Sequence, residues 1–198
     1  MLDISHLNEA QSEAVTAPAG PVLVLAGAGS GKTRVLTYRI AHLIRHCGVP
    51  AHRICALTFT NKAAGEMAER VGSLVPGQGD AITVTTFHSL CSRIFRREAE
   101  QLGYKRDFVI YDDSDTITLL KKVLKELNLA QEKHSPRMFR RLIDQAKNHL
   151  KGPEDVEPGL GAARLFPDIY ARYQERLKGN NALDFGDLIY LTVRLFET

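Results

Sequence analysis

Short apolar runs alternate with amphipathic segments as far as Phe87, the rhythm of a parallel sheet covered by helices. Three runs predict strands, at Val22–Leu25, Ile54–Phe59 and Ile82–Thr85, with helices near Lys32–Cys47 and Asn61–Leu74 between them. Beyond Phe87 the period changes. Leu90, Ile94 and Phe95, then Ile117, Leu120, Val123, Leu124 and Leu127, recur at helical spacing with almost no strand signal, which predicts an α-helical subdomain. Glycines and prolines between Lys151 and Gly161 predict a loop, and helical spacing resumes over Leu165–Leu177 and Leu188–Leu195. No internal repeat or low-complexity tract interrupts this order.

Length and composition narrow the class. A chain of 198 residues with ordinary apolar and charged fractions can build one large domain or two small ones with real cores. No apolar run is long enough to span a bilayer, and the N-terminus lacks a basic region followed by an apolar block, so membrane insertion and export are not expected. Cys47, Cys55 and Cys91 are odd in number and unpaired in spacing, as suits free thiols in a reducing, cytoplasmic compartment. A net charge of +3 does not select a partner class; local clustering carries more information.

The clearest chemistry lies between the first predicted strand and the first long helix, where Ala26-Gly27-Ala28-Gly29-Ser30-Gly31-Lys32-Thr33 forms a phosphate loop. Glycines let backbone N–H groups curl around an anion, and the helix N-terminus adds its positive end. Lys32 can reach the β- and γ-phosphates, and the Thr33 hydroxyl can hold Mg²⁺. Ala26 stands where the general signature has its first glycine, so the backbone there must avoid positive φ.

Two further segments leave predicted strands at the carboxyl edge of the sheet, where ligands of open α/β sheets lie. They are Thr58-Phe59-Thr60-Asn61-Lys62 and Thr85-Thr86-Phe87-His88-Ser89. Aromatic rings interleaved with hydroxyls, an amide and a lysine suit single-stranded nucleic acid, with bases stacked and phosphates hydrogen-bonded. Phe59 and Phe87 also fit core positions, and Thr60 fits a helix cap. Phe108-Val109-Ile110-Tyr111-Asp112-Asp113 ends in carboxylates that fit either a metal site or, better, the N-cap of the following helix. Lys133, Arg137, Arg140, Arg141, Lys147 and Lys151, opposed locally by Asp144 alone, fit a phosphate-tracking stripe or a solvated helix face. His42, His46, Cys47, His52 and Cys55 do not complete a known metal spacing.

Taken together, these segments resemble the N-terminal part of the UvrD/Rep/PcrA family of superfamily 1 DNA helicases. The resemblance runs through Leu7-Asn8-Glu9-Ala10-Gln11, the phosphate loop with Arg34, Thr58-Phe59-Thr60-Asn61-Lys62-Ala63-Ala64, Thr86-Phe87-His88-Ser89, Phe108-Val109-Ile110-Tyr111-Asp112 and Leu183-Asp184-Phe185-Gly186-Asp187. It implies an α/β fold: a partial RecA-like P-loop domain, residues 1–93 with a return segment at 182–198, carrying an inserted all-helical subdomain at 94–181.

The resemblance also implies function. ATP would lie on Gln11, Ala26–Thr33 and Arg34, with Gln11 reading the adenine edge, Arg34 stacking on the base, and Lys32 and Thr33 serving the phosphates and Mg²⁺. Asn8 and Gln11 equally form a capping box. Thr58, Phe59, Asn61, Lys62, Thr86 and His88 would line a single-stranded DNA path leading to duplex junctions. The implied parent is an ATP-dependent 3′-to-5′ helicase of DNA repair or replication; the RecB/AddA helicase–nucleases share these motifs. Without an acidic Mg²⁺ motif, a second RecA-like domain or an arginine finger, these 198 residues alone are expected to bind rather than turn over ATP.

Overall fold

A computed structural model describes residues 2–129 and 135–197. The chain divides into two compact units, residues 1–87 and 88–198. The second unit includes residues 88–93 and 182–197.

In the first unit, helix α1 (Glu9–Thr16) precedes α2 (Lys32–Arg45), strand β1 (Cys55–Thr58), α3 (Asn61–Leu74) and β2 (Thr83–Thr86). β1 and β2 pair in parallel, Cys55 opposite Thr83 through Thr58 opposite Thr86, with α3 as the crossover. α2 buries Thr37, Ile40, Ala41 and Ile44, and α3 buries Ala64, Met67 and Val71, spacings that place one apolar stripe of each helix inward. Ile40, Ala41, Ile44, Met67 and Val71 form one core with Ile54, Ala56, Val75 and Ile82, each large side chain contributing about 1.5–3 kcal/mol on burial. Thr60 caps α3, its hydroxyl accepting from Ala63 N at 3.1 Å.

The first predicted strand is not one. Val22–Leu25 pairs with no strand among the described residues, and Leu23 and Leu25 are 84% and 87% exposed. Val22 and Val24 share a shallow groove with Val35 and Leu36 of α2. An apolar run becomes a strand only when a neighbour takes up its backbone groups, and β1 and β2 bond to each other instead.

The second unit holds α4 (Phe87–Glu98, entering from the first unit), β3 (Val109–Ile110), α5 (Asp113–Glu126), α6 (Pro136–Asn148), α7 (Phe166–Gly179), β4 (Ala182–Leu183) and α8 (Phe185–Phe196). It is mostly, but not wholly, helical. β3 and β4 form a two-residue parallel ladder, Val109 opposite Ala182 and Ile110 opposite Leu183, extended by Tyr111 N donating to Leu183 O at 2.8 Å. Helices α5, α6 and α7 pack around Leu120, Val123, Phe139, Ile143, Ile169 and Tyr173. A second cluster gathers Phe95, Phe108, Leu183 and Leu188 beneath the short ladder.

Candidate functional site

The glycine-rich loop before α2 is shaped by two glycines. Gly29 has φ +75° and Gly31, the N-cap of α2, has φ +83°, a region costly for other residues. Ala26 avoids positive φ, as its methyl group requires. The Lys32 ammonium donates to the loop's own carbonyls, Ala26 O at 3.1 Å and Gly27 O at 2.6 Å, and Ser30 Oγ donates to Gly27 O at 2.7 Å.

Gln11 does two jobs at once. Its Oε1 accepts from Asn8 N at 3.2 Å while Asn8 Oδ1 accepts from Gln11 N at 2.9 Å, completing the capping box of α1. Its Nε2 donates to Ser30 O at 3.0 Å, so the same amide also touches the loop. A cavity of about 610 Å³ opens here, walled by Gln11, the loop from Gly29 to Thr33, Arg34 and Arg70. Arg70, an exposed residue of α3, was not singled out by the sequence. Its only signal is an arginine on the solvent face of the crossover helix.

Thr33 is exposed at the start of α2. Among the described residues lining this cavity none is a carboxylate. Mg²⁺ takes oxygen ligands and usually keeps several waters, so the donors present fit it as a companion of phosphate oxygens held by the Thr33 hydroxyl.

At the end of β1, Phe59 is 90% exposed and pairs with Phe87 at 5.5 Å between ring centroids. It is no core residue. Asn61 and Lys62 are exposed on the first turn of α3. Thr58 and Thr86 are less accessible than the expected DNA path suggests: both are buried, and the Thr58 hydroxyl donates to Thr60 O at 3.0 Å.

His88 lies in the second unit, where its ring stacks on Phe185 at 3.9 Å, nearly parallel. Burial depresses its pKa below the usual histidine range. Phe185, the first residue of α8, is 59% exposed. Sequence reasoning passed it over, although an aromatic between a capping Asp and Gly, outside the apolar stripe of α8, is the available signal. The stacked pair borders a cavity of about 770 Å³ whose other walls include Tyr111, Arg140, Asn148 and the N-terminus of α5. Asp112 caps that helix, its Oδ1 accepting from Asp115 N at 2.8 Å, while Asp115 Oδ2 accepts from Asp112 N at 3.2 Å. Among the described residues no group of three or more His, Cys, Asp and Glu is placed to hold a metal ion, and the rings of His42 and His46 stack at 5.1 Å.

The basic stretch separates into different fates. Arg137, Arg141 and Lys151 are exposed; Lys133 lies outside the described residues. Arg140 pairs with Asp113 at 2.9 Å and Asp144 at 3.6 Å. Lys147, only 2% exposed, is no surface cation: its ammonium lies 2.6 Å from Asp184 Oδ2 and 2.7 Å from Asp187 Oδ1. Tyr173 Oη donates to Asp184 at 2.9 Å and Gln174 Nε2 to Asp187 at 2.8 Å. Burial opposes all three charges. At Lys147 the two carboxylates outweigh it and hold the ammonium above the usual lysine range. At Asp184, Lys147 and the donors around it outweigh burial and hold the carboxyl low. At Asp187 burial wins and pushes the carboxyl up.

The sequence profile of the UvrD/REP helicase N-terminal domain matches residues 7–198. The chain is 47% identical over 196 residues to the ATP-dependent DNA helicase PcrA of Staphylococcus aureus, and 46% identical over 196 residues to that of Staphylococcus epidermidis. In both cases the match covers 98% of this chain and 27% of the relative.

Proposed function

The chain belongs to the UvrD/REP helicase N-terminal domain family, and on that premise we propose that it is the ATP- and single-stranded-DNA-binding part of an ATP-dependent helicase. The supporting observation is the phosphate loop of the first unit, closed by Gln11 and Lys32, in the same unit as the exposed Phe59 at the end of β1. Backbone N–H groups at the start of α2 receive the phosphates, Lys32 meets their charge, and Gln11 reads the adenine edge from beside Ser30. Arg34 and Arg70 flank the nucleotide. Mg²⁺, carried with the phosphates and held by Thr33, neutralises phosphate charge.

Phe59, Asn61 and Lys62 in the first unit, and His88 with Phe185 in the second, supply stacking faces and donors for single-stranded DNA. Movement from 3′ to 5′, action at duplex junctions in repair or replication, and the helical unit as an insertion in a RecA-like domain complete the reading; their support is the family. A cytoplasmic setting accords with free Cys47, Cys55 and Cys91. Among the described residues no helix is long and apolar enough to cross a membrane.

Calorimetry tests the nucleotide assignment. Lys32→Ala should weaken ATP binding strongly and Arg34→Ala should weaken it too; equal affinity of Lys32→Ala and wild type refutes the phosphate site. Strand-displacement assays on the intact parent, with tails of either polarity, test the direction.

A further inference from the structure

Phe185 poses a question of mechanics. Its ring is 59% exposed, so packing does little to hold it, yet it stacks squarely on His88. What fixes it is the backbone on either side. Asp184 caps α8, accepting from Asp187 N at 2.9 Å, while Asp187 accepts from Asp184 N at 3.1 Å. Lys147 reaches from α6 to both of these carboxylates. Its stem runs against the backbone between them: a Cβ added to Gly186 would sit 3.3 Å from Lys147 Cδ. The ammonium faces the rings of Tyr173 and Tyr170, at 5.5 and 6.0 Å from their centroids, and does no work at the surface.

We propose that Lys147 is a positioning residue for DNA recognition, locking Asp184 and Asp187 around the first turn of α8 so that Phe185 is presented beside His88 at the cavity mouth. The inference rests on reading Phe185 and His88 as base-stacking residues. A buried ion pair is a poor source of net stability compared with apolar packing, but it is directional. Two bonds to residues flanking Phe185 leave that turn one arrangement. A ring already oriented binds a base without the entropy of ordering it.

The test uses the full chain and fluorescence anisotropy with labelled oligothymidylate. Phe185→Ala should weaken binding by roughly 5- to 150-fold, the range for one lost base stack. Lys147→Gln should weaken it by a similar factor, and the double variant should be no weaker than Phe185→Ala alone, with ATP affinity unchanged throughout. The chain contains no tryptophan, so Phe185→Trp places a lone indole at the site. DNA should quench it, and Lys147→Gln should make it more mobile. A cooperatively folded Lys147→Gln protein with wild-type DNA affinity overturns the proposal, as does a loss that multiplies with that of Phe185→Ala. Should Lys147→Gln not fold, Asp187→Asn removes one anchor and keeps the pair with Asp184; unchanged DNA affinity there overturns the proposal equally. If Phe185→Ala binds DNA like wild type, the base-stacking reading fails and takes this inference with it; sensitivity to Phe185 but not to the Lys147 anchors removes the inference alone.

Discussion

Truncating Phe59 separates a stacking platform from a structural ring by magnitude. The side chain buries only about a tenth of its surface, so Phe59→Ala forfeits about 0.2–0.3 kcal/mol of the about 1.5–3 kcal/mol that full burial gives. The tilted pair with Phe87 adds a contribution near the lower end of about 0.5–1.5 kcal/mol, since both rings face solvent. The expected loss of folding stability is therefore about 1 kcal/mol, against about 3–5 kcal/mol for a core phenylalanine. Removing a stacked base should cost about 1–3 kcal/mol of DNA binding, or roughly 5- to 150-fold in Kd. Urea unfolding and anisotropy with oligothymidylate read the two quantities on the same preparation. A large drop in stability with little change in DNA affinity would refute the stacking assignment; so would wild-type DNA affinity in both Phe59→Ala and Lys62→Ala.

Because no carboxylate among the described residues lines the cavity proposed for the nucleotide, these 198 residues should show no DNA-stimulated ATP hydrolysis above background in a coupled assay; robust Mg²⁺-dependent turnover would disprove this and return attention to Asp112 and Asp113. Burial lowers the pKa of His88 and favours its neutral form, so it contributes a ring face rather than a charge. His88→Phe should therefore keep DNA affinity and His88→Ala should lose it, and the wild-type and His88→Phe titrations should overlay from about pH 8 down to about pH 7.5. Divergence within that window would assign His88 an ionic role. Asp112→Ala should cost about 0.5–2 kcal/mol of stability through loss of the α5 cap, with no change in metal dependence of any activity; chelator-sensitive melting of wild type alone would reverse that assignment.

Local chemistry was the legible part of the sequence. The limits of α3, the cap at Asp112 and the conformation of the phosphate loop follow from residues within one or two turns of each other, and these stand as the pattern predicts. The failures are all non-local. Val22–Leu25 has the composition of a strand, but strand formation is decided by a partner. Val109–Ile110 is too short for a period-two signal and owes its ladder to a segment after α7. Lys147 reads as one more cation on an amphipathic helix until Asp184, 37 residues later, arrives beside it. Phe59 and Phe87 carry the same sequence signal for core and surface, and only the fold separates those outcomes.

The shared amide of Gln11 ties a helix start to a loop nineteen positions further along. Such a tie is reciprocal: the coupling free energy by which the loop's arrangement favours the first turn of α1 equals that by which the turn favours the loop. The short helix is therefore a gauge. Its first-turn amides, exchanging with solvent through local opening, carry a signal of how the phosphate loop is held, and a substitution that frays α1 at Asn8 acts on the loop without touching it.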